Sequence, residues 1–293
     1  MSSQSLAREH YSRTDVQREI ADFCAGRWVA AHCIGEKGEG ELVFRRYFKG
    51  KPLAINGVSD FQELLRRLNF KVRTFYASAN KYRSFKSVED LYTPSNVIGC
   101  TPTWDVDSTL SNWRETIAVA KEIAAFLESQ GLRNSVYVKW SGNGCHVHIH
   151  EEAFSENIFG KAHPLDVAFA VVEYVNMKVL PKILESLKVR DIRVENRMDA
   201  GRVFTCPLSL HRELDVVCVC MKPNDLESFS PEWIQPNSFR HNTRWRERTM
   251  GEADGLALKA YEAVGGYPAF TSVRRRRRRK SFDQQIAEWL QRF

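Results

Sequence analysis

No uninterrupted apolar stretch in the 293-residue chain approaches the roughly 18 residues that a membrane-spanning helix needs, so no membrane partner is expected. Met1 to Arg13 holds no apolar core of the kind a secretory leader carries. The seven cysteines, at 24, 33, 100, 145, 206, 218 and 220, include no Cys-x-x-Cys pair, which excludes a zinc knuckle or a dithiol redox motif. Their odd number and scattered spacing point to a reduced, intracellular setting. No internal repeat is present. With 43% hydrophobic and 27% charged residues, the chain is neither collagenous, disordered nor a disulfide-stapled miniprotein. Net charge is modest as well. The 43 Lys and Arg exceed the 36 Asp and Glu by 7, and the run Arg274–Lys280 (RRRRRRK) carries that whole excess. The rest of the chain is neutral, so the basic balance belongs to one short patch.

Helix-like periodicity opens the chain at about Leu6–Phe23 and returns at Asp60–Leu68. Between them Trp28–Ile34 and Leu42–Phe48 are β-rich and separated by a Gly-rich stretch, the pattern of a hairpin. Val72–Tyr76 adds a strand. A loop with Pro94 and Pro102 leads to Trp104–Asp107 (WDVD). A helix is expected from about Asn112 to Gln130, with Asn112 and Glu115 as a capping box and Gly131 after its end. Ser135–Trp140 and His146–His150 alternate as strands about the turn Ser141–Gly144. Pro164–Leu187 reads as a helix packed deep in the domain. Val189–Val194 and Val216–Met221 have strand character. After Lys222 the prolines at 223, 231 and 236 and the polar stretch to Arg248 suggest an irregular, loosely attached region. Ser281–Phe293 has an amphipathic helical face suited to docking on the core or on a partner. The expected division is a catalytic domain over 1–225 and a C-terminal extension over 226–293.

Asp105 and Asp107 stand at i and i+2 in a β-like run, so both carboxylates point to one face. Two such groups repel unless a cation lies between them, and hard oxygen ligands suit Mg²⁺ or Mn²⁺. A solvated surface pair is the bland alternative. His146, His148 and His150 also alternate on one strand face, as in some metal hydrolases. For His148 and His150 a structural role is the better reading. His146 differs because it follows a glycine turn that would let a phosphate approach backbone N–H groups.

Taken in order, these motifs resemble the catalytic (small) subunit of DNA primases of the archaeo-eukaryotic primase superfamily. WDVD resembles that family's first motif and SGNGCHVHI (Ser141–Ile149) its second. DIRV (Asp191–Val194) followed by GRVFTCPLSLH (Gly201–His211) resembles the third. REHYSR (Arg8–Arg13), FRRYF (Phe44–Phe48), FYASANKY (Phe75–Tyr82) and VVEYV (Val171–Val175) extend the likeness over about Leu6–Lys222. Two departures matter. Ser108–Trp140 contains no Cys or His where members usually carry a zinc cluster, so no structural zinc is expected. The loop before His146 lacks the usual basic residue, and Lys139, Arg202 or Arg212 would supply its charge.

The resemblance implies an α/β fold of the α+β type, a mixed, mostly antiparallel sheet flanked by helices with the acidic and histidine strands adjacent. It implies template-dependent nucleotidyl transfer with two Mg²⁺ or Mn²⁺ ions held by Asp105, Asp107 and Asp191; Asp199 is the alternative to Asp191, whose DIRV context matches better. Ser141, His146, His211 and Arg46 would contact the nucleotide. Single-stranded DNA template, primer and nucleoside triphosphates would be its partners, with a place for a primase large subunit or another replication or repair protein. The setting would be the cytoplasm and its nucleoid, or the nucleus in a eukaryote. Trp245 among Arg240, Arg244, Arg246 and Arg248 is a candidate template patch, or else a solvated basic loop. The Arg274–Lys280 run is read as a nucleic-acid contact. Competing readings are a repair polymerase that only extends primers, a His/Asp metal hydrolase, and a non-catalytic nucleic-acid-binding subunit.

Overall fold

Residues 3–35, 38–187 and 192–268 are described by a computed structural model. In chain order the elements are α1 (Ser3–Ser12), α2 (Thr14–Cys24), β1 (Arg27–Gly35), β2 (Gly38–Arg45), α3 (Val58–Arg67), β3 (Val72–Tyr82), β4 (Val97–Cys100) and β5 (Thr103–Asp107). There follow α4 (Trp113–Ser129), β6 (Val136–Trp140), β7 (Cys145–Ile149), α5 (Pro164–Leu187), β8 (Arg193–Asn196), β9 (Val203–Thr205), β10 (Val219–Met221) and α6 (Asp254–Val264). Short turns and a two-stranded ribbon at 47–52 fill the connections.

Two five-stranded sheets form the frame, and every pairing between their strands is antiparallel. In the first, β9, β3, β1 and β2 lie in that order and β4 pairs with β3. The second runs β8–β5–β7–β6–β10. This is the expected α+β arrangement, with the acidic strand β5 hydrogen-bonded to the histidine strand β7. Period-two alternation sorts the second sheet's side chains. Trp104, Val106, Val138, Trp140, Cys145 and Val147 are buried on one face, against α4 and α5. Asp105, Asp107, Lys139, His146 and His148 take the other.

One apolar core runs through both sheets. A buried ion pair ties the sheets together: Arg27 on β1 meets Glu151, just beyond β7, at 2.7 Å. The same guanidinium donates to the Ser78 and Ala79 carbonyls and to Thr101. Burial penalises both charges, but each partner offsets it, so Arg27 is held above and Glu151 well below its ordinary pKa.

Several local expectations change. The Leu6–Phe23 periodicity is split into α1 and α2 at Arg13, and Tyr11 donates its hydroxyl to the Arg73 carbonyl at 2.8 Å. Asn112 ends a 3₁₀ turn (Leu110–Asn112) and makes no side-chain cap, so the expected capping box is absent. The region after Lys222 is irregular but not loose. Pro223 and Pro231 start 3₁₀ turns, where a missing N–H costs nothing. Leu226, Phe229, Ile234, Trp245, Leu256 and Ala260 enter the same core as the sheets, and α6 packs along α5. Residues 226–268 therefore share one core with the described residues before them. The Arg274–Lys280 run and the Ser281–Phe293 segment lie outside the described residues.

Candidate active site

Cross-strand register builds the site. Glu195 on β8 stands opposite Asp105 on β5; Asp105 is opposite His146 on β7, and His146 opposite Lys139 on β6. Residues paired in this way share a face with their Cβ atoms about 5 Å apart. The four side chains thus form one row across the sheet, with Asp107 two residues along β5.

Asp105 is almost fully buried and both of its oxygens are engaged. Oδ1 lies 3.2 Å from His146 Nε2, and Oδ2 is 2.6 Å from Arg202 Nη2 and 3.4 Å from Arg197 Nε. Burial would raise this carboxyl's pKa, but the His146 hydrogen bond and the charges of Arg202 and Arg197 outweigh it and bring it to about 2. Asp107 moves the other way. Its partial burial and the neighbouring Asp105 raise it against the pull of Arg197. Burial lowers His146 despite Asp105, which favours the neutral ring donating from Nε2.

Arg197 links the carboxylates. Its Nη2 is 2.6 Å from Asp107 Oδ2, and its Nε donates to Glu195 while lying near Asp105. Three carboxylates on one face of two paired strands are a donor set that suits hard divalent ions. The donor set is thus of the right chemistry for the expected metal, and the structure compensates its negative charge with Arg197 and Arg202. As placed, with Arg197 engaging all three carboxylates, no three His, Cys, Asp or Glu side chains form a ready metal cluster among the described residues.

The turn between β6 and β7 lies beside this row. Gly144 comes so close to β5 that a Cβ there would be 2.3 Å from the Val106 carbonyl oxygen. Gly142, at φ +132°, is packed against the His211 ring, where a Cβ would meet Cδ2 at 2.4 Å. Ser141 is half-buried, and its Oγ is 3.4 Å from the Gly144 carbonyl oxygen. His211 Nδ1 accepts from the Glu213 and Leu214 N–H groups, which leaves Nε2 as the ring's donor. Burial, helped by Arg212, lowers its pKa to about 4, so the ring is neutral at pH 7. On the other side Arg46 donates to the Gly201 carbonyl at 2.8 Å and lies over the Trp28 ring at 4.6 Å. Gly201 precedes Arg202, so Arg46 borders the site. His146 Nδ1 and Arg202 Nε are buried without a hydrogen-bond partner, which leaves unmet polar groups at the site.

The sequence-derived residues divide as follows. Asp105, Asp107, His146, Ser141 and His211 gather around the row and its turn, and Arg46 stands at the rim. Asp191 lies outside the described residues. Asp199 accepts the Gly201 N–H at 2.8 Å and shapes the turn into β9. Glu195, which motif reading passed over, is the acidic side chain directly across from Asp105. Its signal was its alternation with the buried Val194, but only strand register singles it out. Of the three cations considered for the loop's missing charge, Arg202 holds Asp105. Lys139 is buried, donating to the Thr205 carbonyl and lying 4.2 Å from the Phe23 ring centroid. Arg212 pairs with Glu213.

His148 and His150 have structural partners. His148 hydrogen-bonds Thr103 Oγ1 at 2.8 Å and stacks on Tyr137. His150 Nδ1 accepts the Glu152 N–H. The Trp245 patch is overturned as a stacking site. That indole is 5% exposed and donates to Glu19. Arg244, Arg246 and Arg248 pair with Glu247, with Glu19 and Asp22, and with Glu152. Arg240 lies over the Trp233 ring at 4.0 Å.

No family model matches the chain. No curated protein sequence matches it either. Among solved structures it is similar to the polymerase domain of Mycobacterium tuberculosis ligase D in complex with DNA. The TM-score is 0.53 over 89% of each chain, at 13% sequence identity. The two share a fold. At this identity the likeness concerns architecture alone: antiparallel sheets flanked by helices.

Proposed function

We propose that this chain is a template-dependent nucleotidyltransferase, a primase-polymerase that makes or extends primers on single-stranded DNA. The observation that carries the reading is the row Glu195–Asp105–His146 beside a glycine turn braced by His211. The fold shared with a DNA-bound polymerase domain supports it. In the reaction a primer 3′-hydroxyl attacks the α-phosphate of a nucleoside triphosphate and pyrophosphate leaves.

Asp105, Asp107 and Glu195 would hold Mg²⁺ or Mn²⁺, with Glu195 in the place that motif matching assigned to Asp191. Such ions, when bound, lower the pKa of the attacking hydroxyl and offset the charge of the leaving group. The chain's own groups hold the polyphosphate. Gly142 and Gly144 open the turn's backbone to it, and Ser141 and the His211 Nε2–H donate. Arg202 and Arg46 contribute fixed positive charge. His146, buried on Asp105, keeps that carboxylate oriented and ionised.

Incubation of the purified protein with single-stranded template, ribo- or deoxynucleotides and Mg²⁺ or Mn²⁺, with and without primer, tests the reading. Synthesis that disappears in the Asp105→Ala/Asp107→Ala double variant is expected; full activity in that variant would sink it. A second reading, an end-joining or repair polymerase that only extends primers, is favoured by the likeness to a ligase-associated polymerase domain. The primer-free reaction separates the two. The hydrolase reading is less favoured, because His148 Nδ1 and His150 Nδ1 are taken up by Thr103 and Glu152.

A further inference from the structure

Arg197 has no part in the sequence motifs, yet it contacts every carboxylate of the candidate site. It reaches Asp107 at 2.6 Å, Asp105 at 3.4 Å and Glu195 through the same Nε. We propose that Arg197 is a displaceable internal cation, which holds the three carboxylates together until a divalent ion replaces it and then pairs with the incoming polyphosphate. The proposal rests on the metal-dependent reading above and deepens it.

Three observations support displacement. Both Asp105 oxygens are already engaged, Oδ1 by His146 and Oδ2 by Arg202 and Arg197. An ion approaching this carboxylate therefore competes with a guanidinium for the same oxygen. Charge balance points the same way. Three carboxylates face two guanidiniums, and a divalent ion added to both would turn their net charge from −1 to +1 around Asp105, the one carboxylate of the three that is almost fully buried. Arg197 is the cation placed to leave. It follows β8 in an irregular stretch, and its side chain keeps 23% exposure, so it can withdraw without moving a strand. Arg202 is as exposed, at 25%, but it is held in place by its guanidinium lying over the Phe204 ring and by its buried Nε. A guanidinium released at the mouth of the site would meet phosphate oxygens, for which its planar fork is suited.

The ion and the polyphosphate should therefore bind cooperatively, each removing an obstacle to the other. The test is titration of the full chain with Mn²⁺, followed by the electron paramagnetic resonance signal of the free aquo ion, with and without inorganic triphosphate. Arg197→Gln should bind Mn²⁺ at least tenfold more tightly than the unaltered chain when no triphosphate is present, and Arg197→Lys should stay near the unaltered value. Equal or weaker binding by a folded Arg197→Gln would overturn the proposal while leaving the metal reading intact. If neither protein binds Mn²⁺, both fail. Should Arg197→Gln not fold, Mg²⁺ titration of the unaltered chain labelled with ¹⁵N-arginine decides. The Arg197 Nε–H resonance must shift as the site fills, and an unchanged resonance at saturation overturns displacement.

Discussion

Gly142 and His211 are packed so closely that a single methyl group on the glycine would lie 2.4 Å from the imidazole Cδ2. Sixty-nine positions apart in the chain, the two meet because β6 and β7 bring the turn to the loop that follows β9. Gly142→Ala should push the His211 ring aside and strain a backbone at φ +132°. We expect KM for the nucleoside triphosphate to rise at least tenfold, with a stability loss of about 1–3 kcal/mol. Steady-state kinetics alongside thermal melting check this; unchanged KM would separate His211 from nucleotide binding. Gly144→Ala, which collides with backbone at Val106, should be the more destabilising of the two.

Among the acidic candidates, Glu195→Gln should reduce nucleotidyl transfer by roughly a hundredfold or more, the loss typical of one catalytic electrostatic group. Asp199→Asn and Asp191→Asn should cost much less. Parallel primer-extension rates for the three variants decide, and a wild-type rate for Glu195→Gln would return the third carboxylate to another position.

Mild acid should weaken the fold before it touches the carboxylates. His10 is buried against the Leu208 carbonyl, and burial brings its pKa from 6.5 to about 4; His211 is lowered similarly, with burial again the main cause. Between those limits the unfolded chain takes up protons that the folded chain refuses, so stability falls as pH drops from about 6.5 to 4. His10 alone accounts for up to ~3 kcal/mol of that loss. Asp105 has the opposite shift. Its contribution is fully present above about pH 4 and is lost as pH falls toward 2. Denaturant melts at pH 7.5, 6 and 5 should show the decline, and His10→Gln should flatten it.

Glu151→Gln should leave the Arg27 guanidinium buried without its counter-charge. Removing one partner of a buried pair typically costs about 3–5 kcal/mol. A lowered urea midpoint at unchanged m-value is the expected result, and a shift under 1 kcal/mol would mean the two sheets do not depend on this clamp.

The arginine run remains a candidate accessory grip on DNA. If all seven cations of 274–280 contact phosphates, deleting 274–293 should lower the salt slope of single-strand binding by up to about 5. Trp245→Ala should instead reduce stability and leave that slope unchanged, because the indole is buried on Glu19. A reversed pattern would restore the 240–248 patch as the template contact.

Local signals were sufficient for a good part of this protein. Period-two alternation grouped Asp105 with Asp107 and His146 with His148, each pair on one face of its own strand, and the glycines at 142 and 144 marked the turn between strands. The apolar span at about Pro164–Leu187 was readable as a helix. These depend on neighbours a few positions apart. Tertiary structure alone decided the rest, because it depends on register and burial. That Glu195 faces Asp105 follows from how β8 pairs with β5, and no motif encodes that register. Trp245 looked like a stacking residue among arginines until Glu19, 226 positions away, supplied its hydrogen-bond acceptor. Arg197 gave no signal because a guanidinium's partners are chosen by folding: the chain specifies the charges, and only the assembled sheet brings three carboxylates within reach of one cation.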